Sequence, residues 1–256
     1  MEERSNNNSA KASLGVGANI FGRIWALWAL VAFLVTFLII IIPAMLTNLV
    51  ADPKGQHYFI RIARLWMNVW LFLAGCPLKV KGKENFKKGE TYVVVFNHNA
   101  FLDVPLSAPY VQGPNKTIAK ASFAKIPLFG LFYTKGSVLV DRKDEKSRSK
   151  SFDAMMKVLA TGMHMCIYPE GTRNRTDKPI KPFYDGAFRL AVAAQKDIIP
   201  CVIKGTKKAM PINKKFFFLP TRLYMHFLPA VSSAGKPVEK LKEEVYNVML
   251  EEYTKK

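Results

Sequence analysis

Polar positions nearly vanish along one early stretch of the chain. From Ile24 to Ala51 there is neither a charged residue nor a histidine. As one helix this stretch would reach about 42 Å, more than the roughly 30 Å of a bilayer's hydrocarbon core. Pro43 kinks it or ends it. It is too long and begins too late for a signal-peptide core, and it lacks a clear small-residue cleavage site. The expectation is a membrane-inserted helix that either spans the bilayer or bends back within one leaflet. A buried core helix rarely runs so far without a charge. Residues 1–18, rich in Ser, Asn, Ala and Gly, read as a disordered lead-in.

The next segment, "HYFIRIARLWMNVWLFLAG", has a different pattern. His57, Arg61, Arg64 and Asn68 recur at helical spacing as a thin polar stripe, and aromatic and aliphatic residues fill the remainder. That pattern suits an amphipathic helix lying in the headgroup plane. A second membrane pass is the competing reading, for which the segment is short and polar at its start. Residues 19–76 are thus expected to anchor the chain. Lys/Arg numbers on the two sides of the first segment are similar, so charge bias does not orient it.

From residue 77 to 256 the composition becomes that of a soluble domain. Strand-like runs fall at 91–96, 137–140, 165–168, 198–203 and 222–227, with helical patterns at 103–111, 122–133, 147–162 and 185–195. Alternating β and α elements predict a mostly parallel or mixed sheet flanked by helices. The segment "VEKLKEEVYNVMLEEY" predicts a closing amphipathic helix. The net charge of +19 points to an anionic partner: nucleic acid, lipid headgroups or an acidic protein. The three cysteines lie in apolar neighbourhoods without metal-like spacing, which favours buried free thiols and a reducing compartment. No metal is expected.

Candidate chemistry sits at the strand ends. In "VVVFNHNAFLDVP" a buried run stops at Asn97-His98, and Asp103 follows. With His98 on the turn and Asp103 in the first turn of a helix, the carboxylate can fold back to one imidazole nitrogen. It then fixes the tautomer and stabilises the imidazolium formed when the other nitrogen takes a proton. Ser107 would point down the helix and is no evident nucleophile, so the proton comes from a substrate hydroxyl. A capping histidine and a helix-start aspartate are the plain alternative. "YPEGTRNR" offers Gly171 for close backbone approach, the Thr172 hydroxyl, and Arg173 and Arg175 as forked donors suited to phosphate. Glu170 there anchors an arginine or orients the loop. A solvated surface turn reads equally well. "GSVLVDR" ends in Asp141 and Arg142, a second phosphate clamp or a structural ion pair. "IIPCVI" puts Pro200 in an apolar run, marking a strand start or edge. "KKFFFLP" is either a further membrane contact or an ordinary strand and its flank.

Taken in order, from about Leu78 to Pro229, these blocks resemble the glycerolipid acyltransferases, and among them the 1-acylglycerol-3-phosphate (lysophosphatidic acid) acyltransferases. The matching motifs are Asn97-His98 with Asp103, Gly136 to Arg142, Glu170-Gly171-Thr172-Arg173, and Pro200 with its apolar flanks. The resemblance implies that fold, with membrane-docking helices ahead of it. It implies that His98, oriented by Asp103, deprotonates a lysophospholipid hydroxyl that attacks an acyl thioester on coenzyme A or acyl carrier protein. It implies a phosphate site from Arg142, Glu170, Gly171, Thr172, Arg173 and Lys120, with Asn97 and Pro200 in support and no cofactor. Lys120 matches a lysine ahead of a Pro-x-x-Gly segment, and Phe123–Phe132 is a candidate wall for an acyl tunnel. Ser122-Phe123 stands where the family often has Glu-Leu, and Tyr184-Asp185 where it usually has a lysine after phenylalanine. Both departures bear on the acceptor headgroup rather than on the reaction. A phosphate-free acceptor would leave Arg142 and Arg173 without a role. The implied location is a membrane, with the site on its cytoplasmic face.

Two other classes are less consistent with the chain. A nucleic-acid binder should cluster its basic residues in a recognised motif, and here they are dispersed. A silent lipid-binding scaffold has no need of both His98 and Asp103.

Overall fold

The structure, a computed structural model, describes residues 15–141 and 143–255. Helix α1 runs Val16–Leu46 with Pro43 in its last turn. It takes in residues 16–18, which were expected to be disordered; residues 1–14 lie outside the described residues. A turn at Thr47–Leu49 reverses the chain, and α2 (Lys54–Leu73) runs back along α1. The hairpin closes because α1 buries small residues, Ala26, Ala29, Ala32 and Ala44, which admit the bulky side chains of α2. All four tryptophans bolt it. Trp25 and Trp28 donate their indole N–H to Ala74 O and Leu73 O, and Trp66 and Trp70 donate to Thr36 Oγ1 and Ala29 O. For Trp66 and Trp70, which are buried, the bond spares a polar N–H from burial without a partner.

The polar stripe of α2 divides differently from the sequence expectation. Arg64 turns inward and donates to Pro109 O at 2.5 Å and to Val111 O at 2.8 Å, while Asn68 Oδ1 accepts from the Tyr110 hydroxyl. These carbonyls lie in and just after the short turn Ala108–Tyr110, which has no ladder to receive them. The outward side of α2 carries Tyr58, Leu65, Val69 and Phe72 beside Arg61. The α1 surface turned away from the domain is apolar along most of its length, from Ile20 to Leu46. α1 is long and apolar enough to cross a membrane.

The domain that follows contains β1 (Leu78–Lys81), β2 (Val93–Phe96), α3 (Asp103–Ser107), β3 (Asn115–Lys120), α4 (Phe129–Lys135), β4 (Ser137–Val140) and α5 (Glu145–Ala160). It continues with β5 (His164–Ile167), α6 (Gly186–Ala194), β6 (Ile198–Lys204), α7 (Thr206–Ala209), β7 (Leu223–Phe227) and α8 (Val238–Thr254). The strands form one sheet in the order β1-β7-β6-β2-β5-β3-β4, parallel throughout except for β6 against β7. β2 is central and buried on both faces, which is why it reads as an unbroken apolar run. Val94 and Phe96 face the α1–α2 hairpin and the α3 turn, whereas Val93 and Val95 face α5, α6 and α8. The hairpin therefore shares the sheet's core. At its far end Phe217 lies against Gly22, where a Cβ would sit 2.2 Å from the phenyl ring.

β1 and β3 escaped the sequence pattern. β3, "NKTIAK", carries two lysines and buries alternate positions only. The helix expected at 122–133 is broken at Pro127 into a turn at Ala121–Lys125 and α4. Pro200 is neither a strand start nor an edge. It lies inside β6, paired with Val95 of β2. On the other side of β6 the register slips by one residue between Ile198↔Val231 and Cys201↔Phe227. Pro200 occupies that slip, where a missing N–H is tolerated.

His164 opens β5 and is almost fully buried. Its Nδ1 accepts from Tyr92 N at 3.0 Å and its Nε2 lies 2.8 Å from Gln112 O, so the ring is neutral with its proton on Nε2. Burial pulls its pKa from 6.5 down to about 4. A lowered histidine pKa gives stability that is complete above about pH 6.5 and is lost as pH falls through about 4, on the order of 3 kcal/mol. We expect His164→Asn to be less stable than wild type at pH 7 in urea melts but to lose less on acidification to pH 4. Equal acid losses in the two proteins would refute this assignment.

Candidate active site

Two neighbouring strands, β2 and β5, send their connections to opposite faces of the sheet. β2 leaves through α3 on the hairpin side and β5 leaves through α6 on the other. Such a switch point opens a crevice at the carboxyl ends of the strands. The first turn of that crevice holds the histidine and the aspartate. Asn97 ends β2 by pairing sideways with β6: its Nδ2 donates to Ile203 O at 2.9 Å and its Oδ1 accepts from Ile203 N at 2.7 Å. The side chain thus prolongs the ladder by one residue and frees the backbone to turn at His98.

Asp103 lies at the start of α3 with no exposed surface. Three donors converge on its Oδ2: Asn99 N at 2.5 Å, Ala100 N at 2.7 Å and the His98 Nδ1 at 2.9 Å. An ionised carboxylate accepts only, so the Nδ1 carries a hydrogen and the neutral ring holds its lone pair on Nε2. Among the described residues none hydrogen-bonds Nε2. The ring packs against Tyr168, 4.6 Å between centroids. The Tyr168 hydroxyl bonds Asp103 O and the Ser107 Oγ, at 2.8 and 2.6 Å. Ser107 is buried in that contact.

The loop after β5 braces the turn from the other side. Glu170 is fully buried, and its carboxylate accepts His98 N at 2.7 Å and Lys181 N at 3.1 Å. Its carboxylate oxygens are taken up by backbone N–H groups, the loop-orienting arrangement that the sequence also offered for it. Gly171 adopts φ +70, a conformation that favours glycine. The Thr172 hydroxyl is exposed and accepts from Lys181 Nζ at 2.8 Å. Arg173 stacks its guanidinium 3.5 Å above the exposed Phe101 ring. Stacking fixes the plane and leaves the N–H edge available. Asn174 N donates to His98 O at 2.7 Å, and Asn99 Nδ2 donates to the Tyr253 hydroxyl of α8 at 3.3 Å.

The structure brings together His98, Asp103, Asn97, Glu170, Gly171, Thr172 and Arg173. Lys120 ends β3, two strands away from β2, and is exposed without a hydrogen-bond partner among the described residues. Arg142 lies outside the described residues. Pro200 supports β2 from inside the sheet. The Phe123–Phe132 run splits, with Phe129 and Phe132 packing on the hairpin and Phe123, Ile126, Leu128 and Leu131 exposed. In the "KKFFFLP" segment Phe217 and Phe218 are buried against α1 and α2, and Phe216 is exposed. Sequence reasoning missed Tyr168, Asn174, Phe101 and Lys181. The first three lie inside quoted motifs, whereas nothing in "KPIKPF" separates Lys181 from a surface lysine.

At this sheet switch point a partly exposed histidine leans on a fully buried aspartate, beside a loop that carries Arg173. The family model described as acyltransferase matches residues 77–204, half of the chain, and the chain belongs to that family. Mouse 1-acyl-sn-glycerol-3-phosphate acyltransferase alpha is 31% identical over 195 residues, covering 75% of this chain and 68% of that protein. A 1-acyl-sn-glycerol-3-phosphate acyltransferase of Chlamydomonas reinhardtii is 32% identical over 68% of this chain, which spans only 54% of that relative. The fold is that of PlsC, the 1-acyl-sn-glycerophosphate (LPA) acyltransferase of Thermotoga maritima, with a TM-score of 0.77 at 20% identity, covering 91% of this chain and 95% of that one.

Burial pushes the Glu170 carboxyl up to about 7, against the pull of its backbone N–H donors. A raised carboxyl pKa gives stability that is present below about pH 4.5 and lost as pH rises through about 7. Glutamine cannot accept from both N–H groups, because its amide turns a donor toward one of them. We expect Glu170→Gln to lower acyl-transfer rate about tenfold or more, with a smaller loss of stability between pH 4.5 and 7.5 than wild type. An unchanged rate in steady-state assays would show that the carboxylate does not set the position of His98.

Proposed function

We propose that the protein transfers an acyl group from a thioester to the free hydroxyl of 1-acyl-sn-glycerol 3-phosphate, giving phosphatidic acid. The observation that carries this reading is the His98 Nδ1 contact with buried Asp103 at 2.9 Å, which leaves Nε2 as a base. Nε2 takes the hydroxyl proton as the oxygen attacks the thioester carbonyl. An oxygen–carbon bond forms, the carbon–sulfur bond breaks, and the imidazolium returns the proton to the departing sulfur. The products are an ester and a free thiol, with no acyl-enzyme. Asp103 stabilises the imidazolium during the transfer. Arg173, with the Thr172 hydroxyl and the Gly171 backbone, holds the acceptor's phosphate, and Lys120 and Arg142 add positive charge for it. The donor is acyl-CoA or acyl carrier protein, a co-substrate rather than a resident cofactor.

Acceptor and product are lipids, so the site works at a membrane surface. α1 packs against the domain near both ends, Gly22 on Phe217 and Phe37 on Phe129 and Phe132. A helix held this way sinks its outer apolar side into one leaflet and does not stand across the bilayer. Exposed Leu65, Phe72, Ile126, Leu131 and Phe216 extend that apolar surface. The excess of 38 Lys and Arg over 19 Asp and Glu favours the anionic cytoplasmic leaflet, by about 1 kcal/mol per basic residue near the surface.

Thiol release from an acyl thioester by the purified, detergent-solubilised chain tests the reading. Release should require 1-acylglycerol 3-phosphate and fall at least about a hundredfold in His98→Ala. Release that depends on glycerol 3-phosphate or lysophosphatidylcholine instead would keep the mechanism and move the acceptor. No release with any acceptor, from folded protein, would refute the reaction.

A further inference from the structure

We propose that Lys181 is the second cation of the acceptor's headgroup seat, and that Arg173 and Lys181 together select a phosphate monoester. The inference rests on the acyl-transfer reading above. Lys181 Nζ donates to Thr172 Oγ1 at 2.8 Å and to Glu170 O at 3.3 Å. An ammonium has three donors, so one remains for a ligand. The base and this lysine are held by a single buried group, because the Glu170 carboxylate accepts from the backbone of both His98 and Lys181. The lysine's position relative to the reacting hydroxyl is therefore built into the same clasp that positions the base.

Charge supplies the second argument. Among the described residues neither Lys181 nor Arg173 has a carboxylate within ion-pair distance. Asp103 is taken by the imidazole and two backbone N–H groups, Glu170 by two more, and Asp185 by Lys242 and Arg189. Lys181 feels Glu170 and Arg173 feels Asp103, but neither cation makes a direct ion pair, and together they suit the −1.5 to −2 charge of a phosphate monoester at about neutral pH. A phosphodiester carries a single charge and one fewer free oxygen, so it neutralises the pair less completely than a monoester does. The seat thus addresses the headgroup, which the Tyr184-Asp185 departure left unresolved. That segment's cation is Lys181, ahead of Phe183, while Asp185 serves α6 and α8.

The test measures KM and kcat for lysophosphatidate, lysophosphatidylcholine and 1-monoacylglycerol, and KM for the thioester donor. Wild type is compared with Lys181→Met and Lys181→Arg. Lys181→Met should raise KM for lysophosphatidate about tenfold to a hundredfold, the range of a hydrogen bond to a charged group. Its donor KM should move less than about twofold, its preference for lysophosphatidate over the two other acceptors should shrink by the same factor, and Lys181→Arg should restore most of it. An unchanged lysophosphatidate KM overturns the proposal. So does a parallel change for all acceptors and the donor, which marks a merely structural lysine. If wild type transfers to lysophosphatidate while Lys181→Met matches it, only this inference fails; if wild type transfers to no acceptor, the reaction reading fails with it.

Discussion

Burying the carboxylate of Asp103 is the constraint from which the site is built. An ionised group taken wholly out of water is tolerated only when donors replace its hydration. Here Asn99 N, Ala100 N and the His98 ring supply them, all within the turn after β2. Once those donors must converge on one oxygen, the turn has little conformational freedom left. The imidazole is then fixed in tautomer as well as position. The same requirement explains why the surrounding contacts go to the turn's backbone. Glu170 takes His98 N, Asn174 donates to His98 O, and the Tyr168 hydroxyl bonds Asp103 O. Each of those residues comes from the end of β5 or the loop after it, so the pairing of β2 with β5 is what allows one loop to hold the other.

The helical hairpin belongs to this account because it covers one face of β2. Val94 and Phe96 pack toward α1 and α2, so the strand that leads into His98 is buried partly by the hairpin, whose outer side is apolar. The Arg64 fork to Pro109 O and Val111 O joins α2 to the connection leaving α3. The hairpin, the sheet and the turn that carries His98 are thus in continuous packing. The hairpin supplies part of the core on one face of the sheet as well as an apolar outer surface.

Much of this was legible in the sequence. Long apolar runs without charge reported α1, β2, β5 and β6 because burial on both sides or in lipid leaves no polar positions. The residues from Asn97 to Asp103 and from Tyr168 to Asn174 announced themselves by interrupting such runs. β3 was not legible, since its lysines mask the alternation. The inward turn of Arg64 was also hidden, because its partners are backbone carbonyls created by a distant turn. Glu170 was visible as a residue, and its partners were not. Its partners are backbone N–H groups, one of them in a segment without any motif, and spacing says nothing about such contacts. Lys181 was missed for the same reason.

The central claim is that Asp103 holds the His98 imidazole with its hydrogen on Nδ1 and its lone pair on Nε2. The 15N resonances of the His98 ring in 15N-histidine-labelled protein, at a pH where the ring is neutral, report that directly. The account predicts a protonated Nδ1 and an unprotonated Nε2 in wild type, with mixed or reversed tautomers in Asp103→Asn. A wild-type ring protonated on Nε2 would contradict it, because no nitrogen would then be free to take the acceptor's proton.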